Sequence, residues 1–125
     1  MRIIKENLNI TKKDLRYLKL ASSVAITSEC RRKHGAVIVK GGSVLATGYN
    51  KDKNSPMIVS EEHIKTHCSV HAEVDALNKA SNAEGATLYV ARVSSDGSPR
   101  NSRPCSRCYN KLIVSGIKKI VYTVE

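Results

Sequence analysis

The chain has 125 residues, enough for a single domain spanning 1–125 around one hydrophobic core. Hydrophobic residues make up 41% of it, and no run of about 18 apolar residues occurs, so no membrane-spanning helix is expected. The formal net charge of +10 suits polyanions or phosphorylated small molecules as partners, and equally a solvated surface kept soluble by lysine; five tyrosines without Phe or Trp offer few platforms for stacking a single strand of nucleic acid.

Residues 1–10 read as a short arm. Met1-Arg2-Ile3-Ile4-Lys5-Glu6-Asn7 lacks the apolar core of a signal peptide, so a cytoplasmic protein with reduced thiols is expected. Thr11 followed by Asp14 predicts a helix N-terminus, and Leu15, Leu18, Ala21 and Ala25 keep a helical period to about residue 28. Arg31-Arg32-Lys33 suits the C-terminal end of that helix. Ala36-Val37-Ile38-Val39 and Val44-Leu45-Ala46-Thr47-Gly48-Tyr49 flank Gly41-Gly42, which predicts an antiparallel hairpin. Residues 51–67 form a polar loop containing Pro56, of a length that is often functional.

A helix is predicted from His71 to Ala80, then a buried strand from Ala86 to Val93 and a Ser/Arg-rich loop over 94–102. Pro104 suits the first turn of a second helix, which Gly116 ends. Ile117 to Val124 is the last strand, reached by a right-handed parallel crossover. As an apolar sheet edge it would need covering, which predicts a homo-oligomer.

The chemistry concentrates in His71-Ala72-Glu73 and Pro104-Cys105-Ser106-Arg107-Cys108. With reduced thiols, Cys105 and Cys108 point to metal or redox work rather than to a disulfide framework. A thioredoxin-like motif would leave His71-Ala72-Glu73 without a purpose. Zinc takes imidazole and thiolate donors, and a catalytic site leaves a fourth position for water, so His71, Cys105 and Cys108 are the candidate ligands. Glu73 falls on the apolar stripe of its helix with Ala76, Leu77 and Ala80, where a carboxylate is rare without a task. A closed structural zinc site would have no use for it. Both helices would aim their positive ends at the metal, favouring thiolate over thiol.

H-x-E followed by P-C-x-x-C is the signature of zinc nucleobase deaminases. From about Leu15 to Tyr122 the chain resembles the cytidine deaminase superfamily, with its nearest look to deoxycytidylate (dCMP) deaminases. The segment from Cys30 through His34 to Val39, then Gly48-Tyr49-Asn50, resembles their first hairpin, and Lys111-Leu112-Ile113 with Ser115-Gly116-Ile117 resembles the segment after the metal motif. The tRNA adenosine deaminases share the hairpin and both metal motifs. The resemblance implies an α/β fold in three layers: a mixed sheet in strand order 2-1-3-4 with helices on both faces, here shortened at the C-terminus. It implies hydrolytic deamination of a cytosine nucleotide, with Glu73 moving the protons and Asn50 and Ala72 meeting the substrate. Arg100 and Arg103, beside the metal motif in sequence, read either as plain surface charges or as contacts to a substrate phosphate. Arg107 is a further candidate for phosphate contact. Cys30 matches a cysteine that some phage dCMP deaminases give to a second, structural zinc, which Cys68 with His63 or His67 would complete; buried hydrophobic roles for Cys30 and Cys68 are the alternative.

Three departures stand out. Lys51 occupies a position where the family usually has Gly, the 94–102 segment is an insertion, and the family's further C-terminal helix and strand are absent from a sequence ending at Glu125. The competing functions are deamination of cytosine or adenine within single-stranded DNA or tRNA, and a non-enzymatic, zinc-stabilised nucleic-acid-binding module.

Overall fold

A computed structural model of the chain describes residues 2–5, 10–51 and 70–123. Its elements in chain order are β1 (Arg2–Lys5), α1 (Lys12–Ile26), β2 (Lys33–Lys40), β3 (Ser43–Tyr49), α2 (Ala72–Lys79), β4 (Thr87–Val93), β5 (Pro99–Arg100), α3 (Ser106–Val114) and β6 (Lys119–Tyr122). The sheet runs β1-β6-β4-β2-β3, with β5 paired to the end of β4. The expected order 2-1-3-4 is therefore present as β3-β2-β4-β6. The hairpin β2–β3 and the β2–β4 pair are antiparallel, whereas β4–β6 and β1–β6 are parallel. Gly41 and Gly42 turn the hairpin with φ of 60° and 80°, the left-handed backbone that a tight hairpin connection needs.

Alternation along β2 sorts the core into two layers. Ala36 and Ile38 pack with Ala72 and Ala76 of α2 and Leu112 of α3, while Val37 and Val39 pack with Leu18 and Ala21 of α1. Helices therefore cover both faces of a mixed sheet, as expected. Two glycines let the helices lie directly on the strands. A Cβ at Gly35 would stand 2.2 Å from the Ala21 carbonyl oxygen, and one at Gly48 would stand 2.5 Å from the Ala76 nitrogen.

Several expectations are corrected. The N-terminal arm contains β1, so β6 lies between two strands and is not an edge. The argument for a homo-oligomer from an exposed Ile117–Val124 edge falls with it. The last turn of α1 carries no basic residue; α1 ends at Ile26, and Lys33 already belongs to β2. Pro104 precedes α3, whose N-cap is Cys105. The 94–102 insertion is not all loop, because Pro99 and Arg100 pair with Val93 and Arg92. No helix among the described residues is long and apolar enough to cross a membrane.

Asp14 fastens α1 to the sheet. It forms a capping box with Thr11, accepts the Tyr89 hydroxyl at 2.7 Å and faces the Lys119 ammonium at 3.4 Å. Burial alone would raise its carboxyl, but the Tyr89 hydroxyl, the Thr11 amide and Lys119 outweigh burial and bring it below the ordinary aspartate value. Such a group stabilises the fold above its unfolded value near 3.8, and this contribution is lost as pH falls through the lower folded value. Tyr89→Phe leaves the carboxylate short of a donor, so it is expected to cost about 1–3 kcal/mol at neutral pH. The gap to wild type should narrow below about pH 4, as Asp14 takes up a proton in both proteins. Urea unfolding of both proteins across that range checks this; a gap that stays constant with pH would refute the assignment.

Candidate active site

The N-terminal ends of α2 and α3 converge. His71 is the N-cap of α2 and Cys105 the N-cap of α3, both with extended backbone, and neither side chain caps its own helix. Both side chains are thus left to point across the gap. Cys108 follows one turn into α3 and is buried. His71 Nδ1 lies 3.1 Å from Cys108 Sγ and 3.9 Å from Cys105 Sγ, and the three donor atoms all fall within 4.8 Å of one another. A tetrahedral zinc with bonds of about 2.0–2.3 Å separates such donors by about 3.5–3.8 Å, so this donor set fits the ion.

The electrostatics favour a cation here. Burial raises the Glu73 carboxyl above its ordinary value, relieved only in part by its own backbone amide. Burial also pushes the Cys108 thiol up, and the Glu73 charge and the Cys105 contact push it the same way. A positive ion among these groups would offset all three effects and draw out the thiolate.

A cavity of about 150 Å³ opens beside the donors, lined by Arg32, His34, Asn50, His71, Ala72, Glu73, Ser102, Arg103 and Cys105. Of the residues singled out in the sequence, Asn50, Ala72, Glu73 and Arg103 come together with the donors. Arg100 does not line the cavity; it sits on β5, opposite Arg92. Arg107 and Cys108 face a separate cleft between α2 and α3. Cys30 is buried, with its sulfur 3.4 Å from the Asn50 carbonyl oxygen, and it is disulfide-bonded; this corrects the expectation of reduced thiols and takes Cys30 out of the candidate ligands for a second zinc. His63, His67 and Cys68 lie outside the described residues, as do residues 52–67 of the polar loop.

Asn50 is almost fully buried and holds the cavity wall together. Its Oδ1 accepts the His34 amide at 2.9 Å, and its Nδ2 donates to the Arg32 carbonyl at 2.5 Å. One donor and one acceptor position of the amide remain for other partners.

Three lining residues were missed in the sequence. His34 shares the parity of Ala36 and Ile38, so strand alternation could have placed it on this face. Burial, reinforced by Arg92, pushes its imidazole down to about 4, so it is neutral at pH 7. Arg32 presents itself in the sequence only as a helix-end charge. Ser102 carried no sequence signal. Its hydroxyl donates to the Val90 carbonyl at 2.8 Å and accepts the Thr123 amide at 2.9 Å, which fixes the approach of Arg103, Pro104 and Cys105 to the cavity.

Three protein donors with room for a fourth ligand, beside a buried carboxylate that has no ionic partner among the described residues, define a metal site suited to activating water. A family model for the cytidine and deoxycytidylate deaminase zinc-binding region matches residues 11–124. The deoxycytidylate deaminase of Mycobacterium phage D29 is 34% identical over 128 aligned residues, covering 87% of this chain and 92% of the phage protein. That of Saccharomyces cerevisiae is 30% identical over 88% of this chain, which spans 37% of the yeast protein. The crystal structure of dCMP deaminase from cyanophage S-TIM5, in complex with dCMP and dUMP, superposes with a TM-score of 0.66 at 27% identity, covering 94% of this chain and 86% of that one. The chain belongs to the zinc-binding cytidine and deoxycytidylate deaminase family.

Elemental analysis of purified protein is expected to find about one zinc per chain at this centre. Cys108→Ala should lose it, whereas Glu73→Gln should keep it, because Glu73 stands beside the donor set and not in it. Zinc loss from the Glu73 variant would overturn this geometry.

Proposed function

We propose that this chain hydrolyses the amino group of a free cytosine deoxynucleotide, converting dCMP to dUMP and ammonia. The observation that carries this reading is the placement of buried Glu73 beside the His71, Cys105 and Cys108 donors at one end of a small cavity. It is supported by the phage relatives, one of which holds dCMP and dUMP in its crystal structure. When bound by these donors, zinc supplies Lewis acidity that brings the pKa of a water toward neutrality.

The chain's own residues do the rest. Glu73 takes a proton from the attacking water and delivers it to the ring nitrogen next to the amino-bearing carbon. It then carries the second proton to the departing amine, so that ammonia leaves and the carbonyl forms. Its raised carboxyl suits both acceptance and return of a proton. Ala72 opens α2, where backbone N–H groups have no intrahelical partner, so its amide can donate to the base carbonyl. The remaining amide positions of Asn50 can meet a sugar hydroxyl. Arg32 and Arg103 flank the cavity and suit the 5′-phosphate, since guanidinium offers paired donors to phosphate oxygens.

Glu73→Gln should abolish turnover. The ratio of kcat/KM for dCMP to that for deoxycytidine should exceed unity by about tenfold to a hundredfold, the range expected for hydrogen bonds to a charged group. Arg32→Ala and Arg103→Ala should each lower it by raising KM for dCMP alone. Equal rates on both substrates would show that the phosphate is not read. Activity confined to oligonucleotides, falling steeply with salt, would transfer the case to a nucleic-acid substrate.

A further inference from the structure

Asn50 and His71 lie on the cavity, and their chain neighbours Lys51 and Val70 join each other directly. The Lys51 amide donates to the Val70 carbonyl at 3.1 Å, and the Val70 amide donates to the Lys51 carbonyl at 2.9 Å. This bridge ties the end of β3 to the residue before the N-cap of α2. A second tie lies beside it. Lys51 Nζ sits 3.1 Å from Asp75 Oδ1, while the Tyr49 amide donates to Asp75 Oδ2 at 3.2 Å. The Lys51 ammonium also lies 4.5 Å from the centre of the Tyr49 ring, which confines it further.

Asp75 is itself tied to the metal-donor end of its helix, because its amide donates to the His71 carbonyl at 3.0 Å. Glu73 stands two residues before it. One carboxylate thus reaches both residues that flank Asn50 and belongs to the first turns of the helix that carries His71 and Glu73. The Asp75 side chain is only 10% exposed, so it is no freely solvated surface charge; Lys79, its other partner, comes from its own helix and meets β3 at the Tyr49 ring, 5.8 Å from its centre, without touching the backbone after β3.

We propose that Lys51 and Asp75 form a latch that holds the Asn50 wall of the cavity in register with His71 and Glu73. Both are positioning residues, since neither lines the cavity. The inference makes Lys51 a structural gain of this chain: its ammonium is turned onto α2 and not into the substrate space. Fixing one wall against the other matters because displacements of about 1 Å at a reacting centre cost up to about a hundredfold in rate.

The kinetic side of this inference rests on the deaminase reading, but its metal side does not. The test compares wild type, Lys51→Met, Lys51→Arg, Asp75→Asn and the Lys51→Met/Asp75→Asn double variant, each loaded with zinc. The first readout is the rate of zinc release to an excess of chelator. Lys51→Met and Asp75→Asn should release it about tenfold faster, as for groups that orient metal donors. The double variant should be no faster than either single one, because the same link is removed only once. Lys51→Arg should stay close to wild type. Tyr89→Phe serves as a control that loosens the fold away from the cavity and should not accelerate release.

The second readout is turnover of dCMP, where kcat should fall in parallel with faster release. Wild-type release from Lys51→Met and Asp75→Asn would overturn the latch. So would effects that multiply in the double variant, or equal acceleration in the Tyr89 control. A wild-type protein that holds zinc but leaves dCMP untouched would refute the deaminase reading, while the release rates would still judge the latch.

Discussion

The close seat of α2 on β3 is the constraint from which the cavity follows. Gly48 leaves no side chain between the strand and the Ala72–Ala76 turn; an added Cβ would meet the Ala72 carbonyl oxygen at 2.6 Å and the Ala76 nitrogen at 2.5 Å. Ala72 and Ala76 are themselves fully buried and small, so the helix backbone can approach the sheet. This seat brings the first turn of α2 level with the end of β3. His71, Glu73 and Asn50 then share one space. On the far side, Ser102 bolts the approach to α3 onto β4 and the residue after β6, which brings Cys105 to the same space. Two helix N-termini meet there because strand ends and a buried hydroxyl fix where each helix starts.

Three buried carboxylates show how surroundings divide structural from chemical roles. Asp14 has a tyrosine hydroxyl, the Thr11 backbone amide and an ammonium, and Asp75 has two ammonium groups and a backbone amide. Burial opposes ionisation in both, yet their partners prevail and both carboxyls fall below the ordinary value. Glu73 has burial without an ionic partner among the described residues, and its carboxyl rises. A group held permanently charged can brace a fold, but it returns a proton poorly. A group with no fixed partner can accept and return one, which is what a proton shuttle requires.

The metal motifs were legible because ligand chemistry constrains both residue type and spacing. His71, Cys105 and Cys108 meet as that spacing demands, and Glu73 betrayed itself by occupying an apolar stripe. The hairpin was legible from turn chemistry and pattern, whereas the strand order was implied only by the resemblance to the deaminase family. Other features depend on contacts made at a distance. Arg2–Lys5 is too short to announce itself as a strand and is defined by its pairing with Lys119–Tyr122. Pro99 and Arg100 likewise gain strand character from β4. Pro104 fits a first helical turn by its chemistry, yet Cys105 becomes the N-cap, which frees its thiol from the helix. Ser102 reads as an ordinary loop serine until its hydroxyl meets two strands.

The distribution of charge carries the last step. The net charge of +10 fits a solvated surface as well as an anion-binding one, and composition cannot separate them. The fold places part of that charge at one end of the sheet. Arg100 stands opposite Arg92, and Arg92 opposite His34, in successive strands, while Arg32 and Arg103 line the cavity itself. Asp96 offsets part of this charge at Arg100, which leaves Arg32 and Arg103 as the guanidinium groups on the cavity wall. His34 records the field, because burial and neighbouring Arg92 hold its imidazole neutral. The cavity therefore joins a buried interior around Glu73 to an approach flanked by Arg32 and Arg103. That division matches a substrate whose reacting base is uncharged and whose phosphate is not, the two halves of the proposed nucleotide.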